Sequence, residues 1–397
     1  MSQFKVYLKR NKERRIRHGH PWVFSNEIDL TRSPIKHLDP GEPVELRARN
    51  DSVLGSGYIN PKSLICVRLL GQAPGLVLNR TLLRSRIEQA LQLRLSLFTK
   101  PFYRLVYGES DYLPGLVVDR FNDVFVVQIG TAGMERVRDL LVEILKSMFN
   151  PCVVVMRNDL GSRKLEGLDL HAEVVTGTLP SELIIEEHQS RFVVQTMAGQ
   201  KTGWFFDQQP NRARLPRYSA HKRVLDACSY TGGFAIQAAM AGAAEVLCID
   251  SSARALEQVR RNACLNRIDS VVDTLQGDIF QIFSELRSSK RRFDLIVLDP
   301  PALIPRRKDI KPGEEAYRRL NHLALSCLER NGILISSSCS YHLTAARLGE
   351  LINSAARTQG RQIQLLERGQ QGPDHPILPA MPESEYLKTY VIRALQP

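Results

Sequence analysis

The stretch that decides the fold is Arg223-Val224-Leu225-Asp226-Ala227-Cys228-Ser229-Tyr230-Thr231-Gly232-Gly233-Phe234, followed by Ala235 to Ala241. A short apolar run ends in an acidic residue, turns through serine, threonine and two glycines, and enters an apolar helical stretch. That is the grammar of a strand, a tight turn and a helix. Working outward, strand-like runs recur at Glu245–Asp250, Val271–Leu275, Phe293–Asp299 and Gly332–Ser336. Helical stretches such as Ser252 to Leu265 separate them. Alternating strands and helices with apolar strand interiors predict a parallel α/β sheet of Rossmann-like type, covered on both faces.

In such a sheet, ligands bind beyond the carboxyl ends of the strands. Asp226, Asp250 with Ser251, and Asp299 fall at or just past such ends, and Asp278 lies in the next loop. One such aspartate is ordinary turn chemistry, whereas several on successive strands suggest a shared ligand. Gly232 and Gly233 let backbone approach that ligand and start the helix. Asp250 can accept hydrogen bonds from two ribose hydroxyls, present in both NAD and S-adenosylmethionine. NAD also brings a pyrophosphate, which favours a G-x-G-x-x-G turn that is absent here. S-adenosylmethionine carries an amino group and a sulfonium, which suit acidic neighbours such as Asp226. A degenerate domain without cofactor is the remaining alternative.

The fourth strand runs into Asp299-Pro300-Pro301, a loop stiffened by two prolines. The fifth leads to Ser336-Ser337-Ser338-Cys339-Ser340-Tyr341. Cys339 is thus expected at the edge of the sheet where chemistry occurs. Carbon 5 of cytosine is a weak nucleophile. A thiolate adding to carbon 6 turns the base into an enamine-like species that can attack a methyl donor. Cys339 and Asp299 are therefore the candidate catalytic pair. Cys66, Cys152, Cys248, Cys264 and Cys327 read as small apolar residues, and Cys228 as packing in the cofactor turn.

Upstream, the pattern differs. Residues 1–75 carry short alternating runs, 43–47 and 64–69, punctuated by Pro40-Gly41, Asn50-Asp51, Gly55, Gly57 and Asn60-Pro61. This reads as a small β-barrel. Residues 76–188 read as α+β, with helices at about 82–97 and 134–148 and a hairpin from 116–118 to 124–129. Residues 189–397 form the α/β part.

The net charge is +12. Thirteen Lys and Arg face seven Asp and Glu in the first 75 residues, with Arg14, Arg15 and Arg17 in the densest run. Such cations can displace counterions from a nucleic-acid backbone, although a solvated basic face looks the same in sequence. Arg306, Arg307 and Lys308 after the proline loop offer a second such group. Seven cysteines without a C-x-x-C argue against a zinc site or a disulfide framework and suit a reducing cytoplasm. No apolar run approaches a membrane span.

At this point the residues resemble a known family across almost the whole chain. Ser229-Tyr230-Thr231-Gly232-Gly233-Phe234 and Ser338-Cys339-Ser340 resemble class I methyltransferases of the large-subunit ribosomal RNA methyltransferase I group, which are cytosine-5 enzymes. His18-Gly19-His20-Pro21-Trp22-Val23-Phe24-Ser25 resembles that group's PUA domain, a small RNA-binding barrel. Gly108-Glu109-Ser110-Asp111, Leu113-Pro114-Gly115-Leu116 and Glu186-Glu187-His188 resemble its middle domain. Lys201 to Gln209, including Asp207 and Gln208, resembles the lead-in that helps bind S-adenosylmethionine. The resemblance implies S-adenosylmethionine as cofactor and RNA, of the large ribosomal subunit, as partner. It also implies a single-cysteine mechanism, because Ala302 follows Pro301 where many cytosine-5 enzymes have a second cysteine. The acceptor of the carbon-5 proton stays open. So do methylation of a purine nitrogen and a non-enzymatic role in RNA binding.

Overall fold

The computed structural model describes residues 3–197 and 199–395. The chain divides into two compact units. One comprises Met1–Leu183, Val194–Phe206 and Pro373–Ser384, and the other Ile184–Val193, Asp207–Gly372 and Glu385–Pro397.

The first unit opens with β1 (Phe4–Tyr7), the short α1 (Arg14–Arg17), β2 (Trp22–Phe24), β3 (Glu42–Arg47), β4 (Val53–Ile59) and β5 (Ile65–Gly71). They form one sheet in the order β1-β3-β4-β5-β2, with β1 parallel to β3 and the other pairs antiparallel. Val6, Val23, Val44, Leu46, Ile59 and Val67 bury their side chains together. Gly55 and Gly57, expected in turns, lie inside β4. The reason is steric. A Cβ on Gly57 would sit 2.1 Å from the Arg68 carbonyl oxygen, and Gly55 has φ +152° beside a register shift in the β3–β4 pair. Glycine here permits close strand approach and a bulge rather than a reversal.

A second sheet follows in the same unit. It contains β6 (Phe102–Tyr107), β7 (Leu116–Phe121), β8 (Val124–Ile129), β9 (Val153–Asn158) and β10 (His171–Thr176), in the order β10-β9-β8-β7-β6. Helix α2 (Arg80–Leu97) packs Leu83 and Ile87 into its core. The single helix expected at 134–148 is two, α3 (Ala132–Glu135) and α4 (Arg138–Phe149). Gly133 lies against the Tyr58 ring, where a Cβ would come within 2.3 Å of ring atoms. That contact pins the first turn while α4 follows its own core contacts.

The hairpin β11 (Leu183–Glu187) and β12 (Ser190–Val194) leads, through α5 (Gln209–Arg212) and α6 (Pro216–Ser219), to the sheet of the second unit. Its elements are β13 (Arg223–Ala227), α7 (Gly233–Met240), β14 (Glu245–Asp250), α8 (Ala253–Leu265), β15 (Val272–Gln276), α9 (Ile279–Ser288) and β16 (Phe293–Leu298). They continue with α10 (Ile310–Ser326), β17 (Leu328–Ser338), α11 (Ala345–Arg357), β18 (Gln362–Gln370) and β19 (Lys388–Leu395). Strand order is β15-β14-β13-β16-β17-β19-β18. The sheet is mixed rather than purely parallel, because β19 runs antiparallel to both β17 and β18. The first five strands are parallel, and their residues Leu225, Leu247, Ile249, Ile296 and Leu298 are buried with Phe283, Leu320 and Leu351 of the helices. Among the described residues no helix is long and apolar enough to cross a membrane.

Candidate active site

The site is built from the strand ends of the second unit. β13 lies between β14 and β16, so its end is flanked by theirs. The turn after β13 holds Cys228 at φ +62°, Tyr230 at +48° and Gly232 at +83°. Left-handed backbone at two non-glycine residues is costly and persists only where surroundings impose it. The impositions are visible. The Ser229 N–H donates to the Ile249 carbonyl at 3.0 Å and the Gly232 N–H to Ser229 at 2.8 Å. The Tyr230 N–H donates to the Asp250 carboxylate at 2.9 Å. The Thr231 carbonyl accepts from the buried Asn262 amide of α8 at 2.9 Å, and the other end of that amide accepts from the Val193 N–H. Gly232 then caps α7, with Gly233 and Phe234 in its first turn.

Asp226 is 1% exposed. One of its oxygens, Oδ2, accepts from the Ala235 N–H at 2.9 Å, while Oδ1 is buried with no hydrogen-bond partner among the described residues. Burial pushes its carboxyl up to about 7, and the nearby Asp299 and Asp250 charges add to the shift. The Ala235 hydrogen bond and Arg212 oppose it. Asp250 is half-buried, and its other oxygen accepts from the Ser252 N–H at 2.9 Å. Ser251 is exposed, and its carbonyl accepts from Gln276. Asp278 is exposed and caps α9 through the Phe280 and Gln281 N–H groups. Burial pushes the Cys228 thiol up to about 12, and Asp250, Asp299, Asp226 and Asp278 all add to that shift. Cys228 therefore stays a neutral thiol. Thr231 is buried with its hydroxyl lacking a partner among the described residues.

The lead-in contributes directly. Gln208, 3% exposed, donates to Asp299 at 2.7 Å and accepts from Asn211 at 2.6 Å. Asp207 accepts from the Tyr386 hydroxyl, and its carbonyl accepts from the Gly372 N–H. Lys201 belongs to the first unit, where its ammonium lies 4.6 Å from the centroid of the Phe205 ring. Glu187 forms a buried ion pair with Arg212, and its carbonyl accepts from Gln237 of α7. His188 makes the turn from β11 to β12 at φ +54°.

Cys339 follows β17 and is half-buried, 4.0 Å from the Pro300 carbonyl. The two loops are tied together, because the Ile304 N–H donates to the Ser340 hydroxyl at 3.1 Å. The Tyr317 hydroxyl meets Ser338 at 2.9 Å and Ser340 at 3.0 Å, so both neighbours of Cys339 are held from α10. The residues missed in sequence are Arg212, Asn262, Tyr317 as an anchor, and Lys388, described below. Each acts on a partner distant in the chain, so no local pattern marks them.

Arg306, Arg307 and Lys308 lie exposed beyond the proline loop, with Arg306 paired to Asp309 at 2.9 Å. In the first unit, Arg14 and Arg17 are exposed. Arg15 is turned inward to Glu27 at 2.9 Å and to His20. Arg14 and Arg15, with Lys12, His18 and Glu27, line a surface depression of about 500 Å³.

An anionic turn with an orphaned buried carboxylate oxygen suits a cationic ligand better than a pyrophosphate. The comparisons agree. A PUA-like domain model matches residues 6–72, and an S-adenosylmethionine-dependent methyltransferase model matches residues 167–388. The chain is 35% identical over 396 residues to ribosomal RNA large subunit methyltransferase I of Shigella boydii serotype 18, covering 98% of this chain and 99% of that one. The protein of the same name from Escherichia coli O157:H7 is 34% identical over the same shares. Among solved structures, a SAM-dependent methyltransferase from Streptococcus mutans is similar with TM-score 0.83, 22% identity and coverage of 98% and 100%. A methyltransferase solved with SAH bound reaches TM-score 0.85 at 22% identity, covering 99% and 100%. The chain belongs to the S-adenosylmethionine-dependent methyltransferase family, in the group whose members are named ribosomal RNA large subunit methyltransferase I.

Proposed function

We propose that this protein methylates carbon 5 of a cytosine in large-subunit ribosomal RNA, in the cytoplasm, with Cys339 as nucleophile. The observation that carries the reading is the half-buried Cys339 at the end of β17, against the carbonyl of Pro300. In this reading residues 1–75 grip RNA, residues 76–188 connect, and residues 189–397 hold the chemistry. When bound, S-adenosylmethionine supplies an electrophilic methyl group. Asp226, Ser229, Tyr230, Thr231, Gly232, Gly233, Phe234, Asp250, Ser251 and Asp278 would hold it, together with the lead-in residues Lys201, Asp207 and Gln208. The Cys339 thiolate would add to carbon 6 and push the electron pair to carbon 5, the atom then able to accept the methyl group as its bond to the sulfonium sulfur breaks and that sulfur leaves as a neutral thioether. Loss of the carbon-5 proton to a base then expels the thiolate. Asp299, fixed by Gln208, orients the base through its carboxylate. Arg14, Arg15 and Arg17, with Arg306, Arg307 and Lys308, contact phosphates.

The test is incubation with labelled cofactor and unmodified large-subunit RNA, followed by mass spectrometry of the nucleosides. 5-Methylcytosine is expected, and Cys339→Ser is expected to abolish it. A methylated purine, or a fully active Cys339→Ser variant, overturns the reading.

A further inference from the structure

Lys388 opens β19, opposite Ser338 of β17 and Gln370 of β18. A lysine buried between two strands ordinarily requires a carboxylate partner. Lys388 is only 9% exposed, and the hydrogen bonds it makes among the described residues go to backbone carbonyls. Its ammonium donates to the carbonyl of Ser340 at 2.6 Å and to that of Tyr386 at 2.8 Å. Ser340 is the residue after Cys339, so the ammonium is anchored one peptide from the sulfur.

We propose that Lys388 is the positioning residue for the nucleophile, holding the Ser338-Cys339-Ser340 turn and supplying the positive charge that favours the Cys339 thiolate. The inference rests on reading Cys339 as the nucleophile. The thiol proton leaves to water, Lys388 keeps its own proton, and no other bond changes. The neighbouring charges fit this role. Glu385, just before β19, and the Cys339 sulfur both act to hold the ammonium's charge, while burial brings it down to about 8. From α10, Tyr317 contributes a phenol raised chiefly by its own burial, hence neutral at physiological pH. From the loop after β16 come the Pro300 carbonyl, 4.0 Å from the sulfur, and, one residue before it, the Asp299 carboxylate that Gln208 holds. The cation on β19 is thus fixed to the turn that carries the thiol.

The experiment is alkylation of the full chain with iodoacetamide, without RNA or cofactor. Modification at Cys339 is followed by peptide mass spectrometry from pH 5 to 10, so that the exposed Cys152 and Cys264 do not interfere. The wild-type midpoint is expected below the ~8.5 of a free thiol. Lys388→Met is expected to raise it by about one unit and slow alkylation at pH 7 roughly tenfold, whereas Lys388→Arg keeps it near wild type. A wild-type midpoint at or above that of a free thiol overturns the proposal, whether or not the variants fold. So does an unshifted profile in folded Lys388→Met. Because the readout needs no methyl transfer, the two ideas fail separately. Absent 5-methylcytosine with a depressed midpoint sinks only the cytosine reading. Normal 5-methylcytosine with an ordinary midpoint sinks only this one.

Discussion

Replacing Asp226 with asparagine tests the electrostatics of the cofactor turn. Asp226 carries a folded-state pKa of about 7 against an unfolded value of 3.8. A raised carboxyl takes up its proton on folding, so its contribution to stability is present below pH 3.8 and is lost as pH rises through 7. Three units at 1.36 kcal/mol each set an upper figure of about 4 kcal/mol. Asparagine stays neutral, but its buried N–H donors replace the oxygen that lacks a partner, at a cost of about 1–3 kcal/mol. The net expectation at pH 8 without cofactor is a variant more stable by about 1–3 kcal/mol, or roughly 5 °C in melting temperature. At pH 5 only about 1.6 kcal/mol of that penalty remains, because the unfolded carboxyl is still ionised there, so the advantage shrinks to about zero or below. S-Adenosylmethionine brings cations that favour the ionised carboxylate, so its stabilisation of the wild type grows from pH 6 to 8, and that growth is absent from the variant. The assay is thermal melting from pH 5 to 9, with and without cofactor, on both proteins. Parallel pH curves for the two refute the reasoning.

Asn262→Leu removes the amide joining β12 to the cofactor turn and strands the buried Val193 N–H and Thr231 carbonyl. We expect a loss of about 2–4 kcal/mol in stability and at least tenfold weaker cofactor binding by calorimetry. Gly57→Ala drives a methyl group into the Arg68 carbonyl, so β4 and β5 must separate. Denaturant unfolding of this variant is expected to show destabilisation of about 2 kcal/mol or more in the first unit, with cofactor affinity unchanged.

The strand–helix alternation and the acidic strand ends were legible because both depend on local spacing. Val224 to Asp226 and Phe293 to Leu298 are apolar runs bounded by turn chemistry, and the structure keeps them within a residue or two. The five strands read from the sequence are parallel as expected, and the antiparallel β18 and β19 were not singled out. β18 reads Gln-Ile-Gln-Leu-Leu-Glu-Arg-Gly-Gln, an edge strand too polar to announce itself. β4 was hidden by Gly55 and Gly57, which serve strand contact as readily as reversal. In the site, Asp226, Asp250 and Asp299 could be singled out, but not that Tyr230 donates to Asp250 or that Gln208 fixes Asp299. Lys388 and Ser340 lie 48 residues apart, and only the sheet register brings them together.

The position of β19 bears on how the enzyme comes into being. β18 has a single ladder partner, and that partner is synthesised after it. As the chain emerges from the ribosome, β18 has no strand to pair with and β17 keeps an open edge, until the segment from Lys388 is threaded between them. Closure of this sheet therefore waits on a strand inserted from the C-terminal segment, a pairing that spans roughly fifty residues back to β17. Lys388 arrives with that same strand, so a nascent or truncated chain can form the turn after β13 while the Ser340 carbonyl still lacks its ammonium donor.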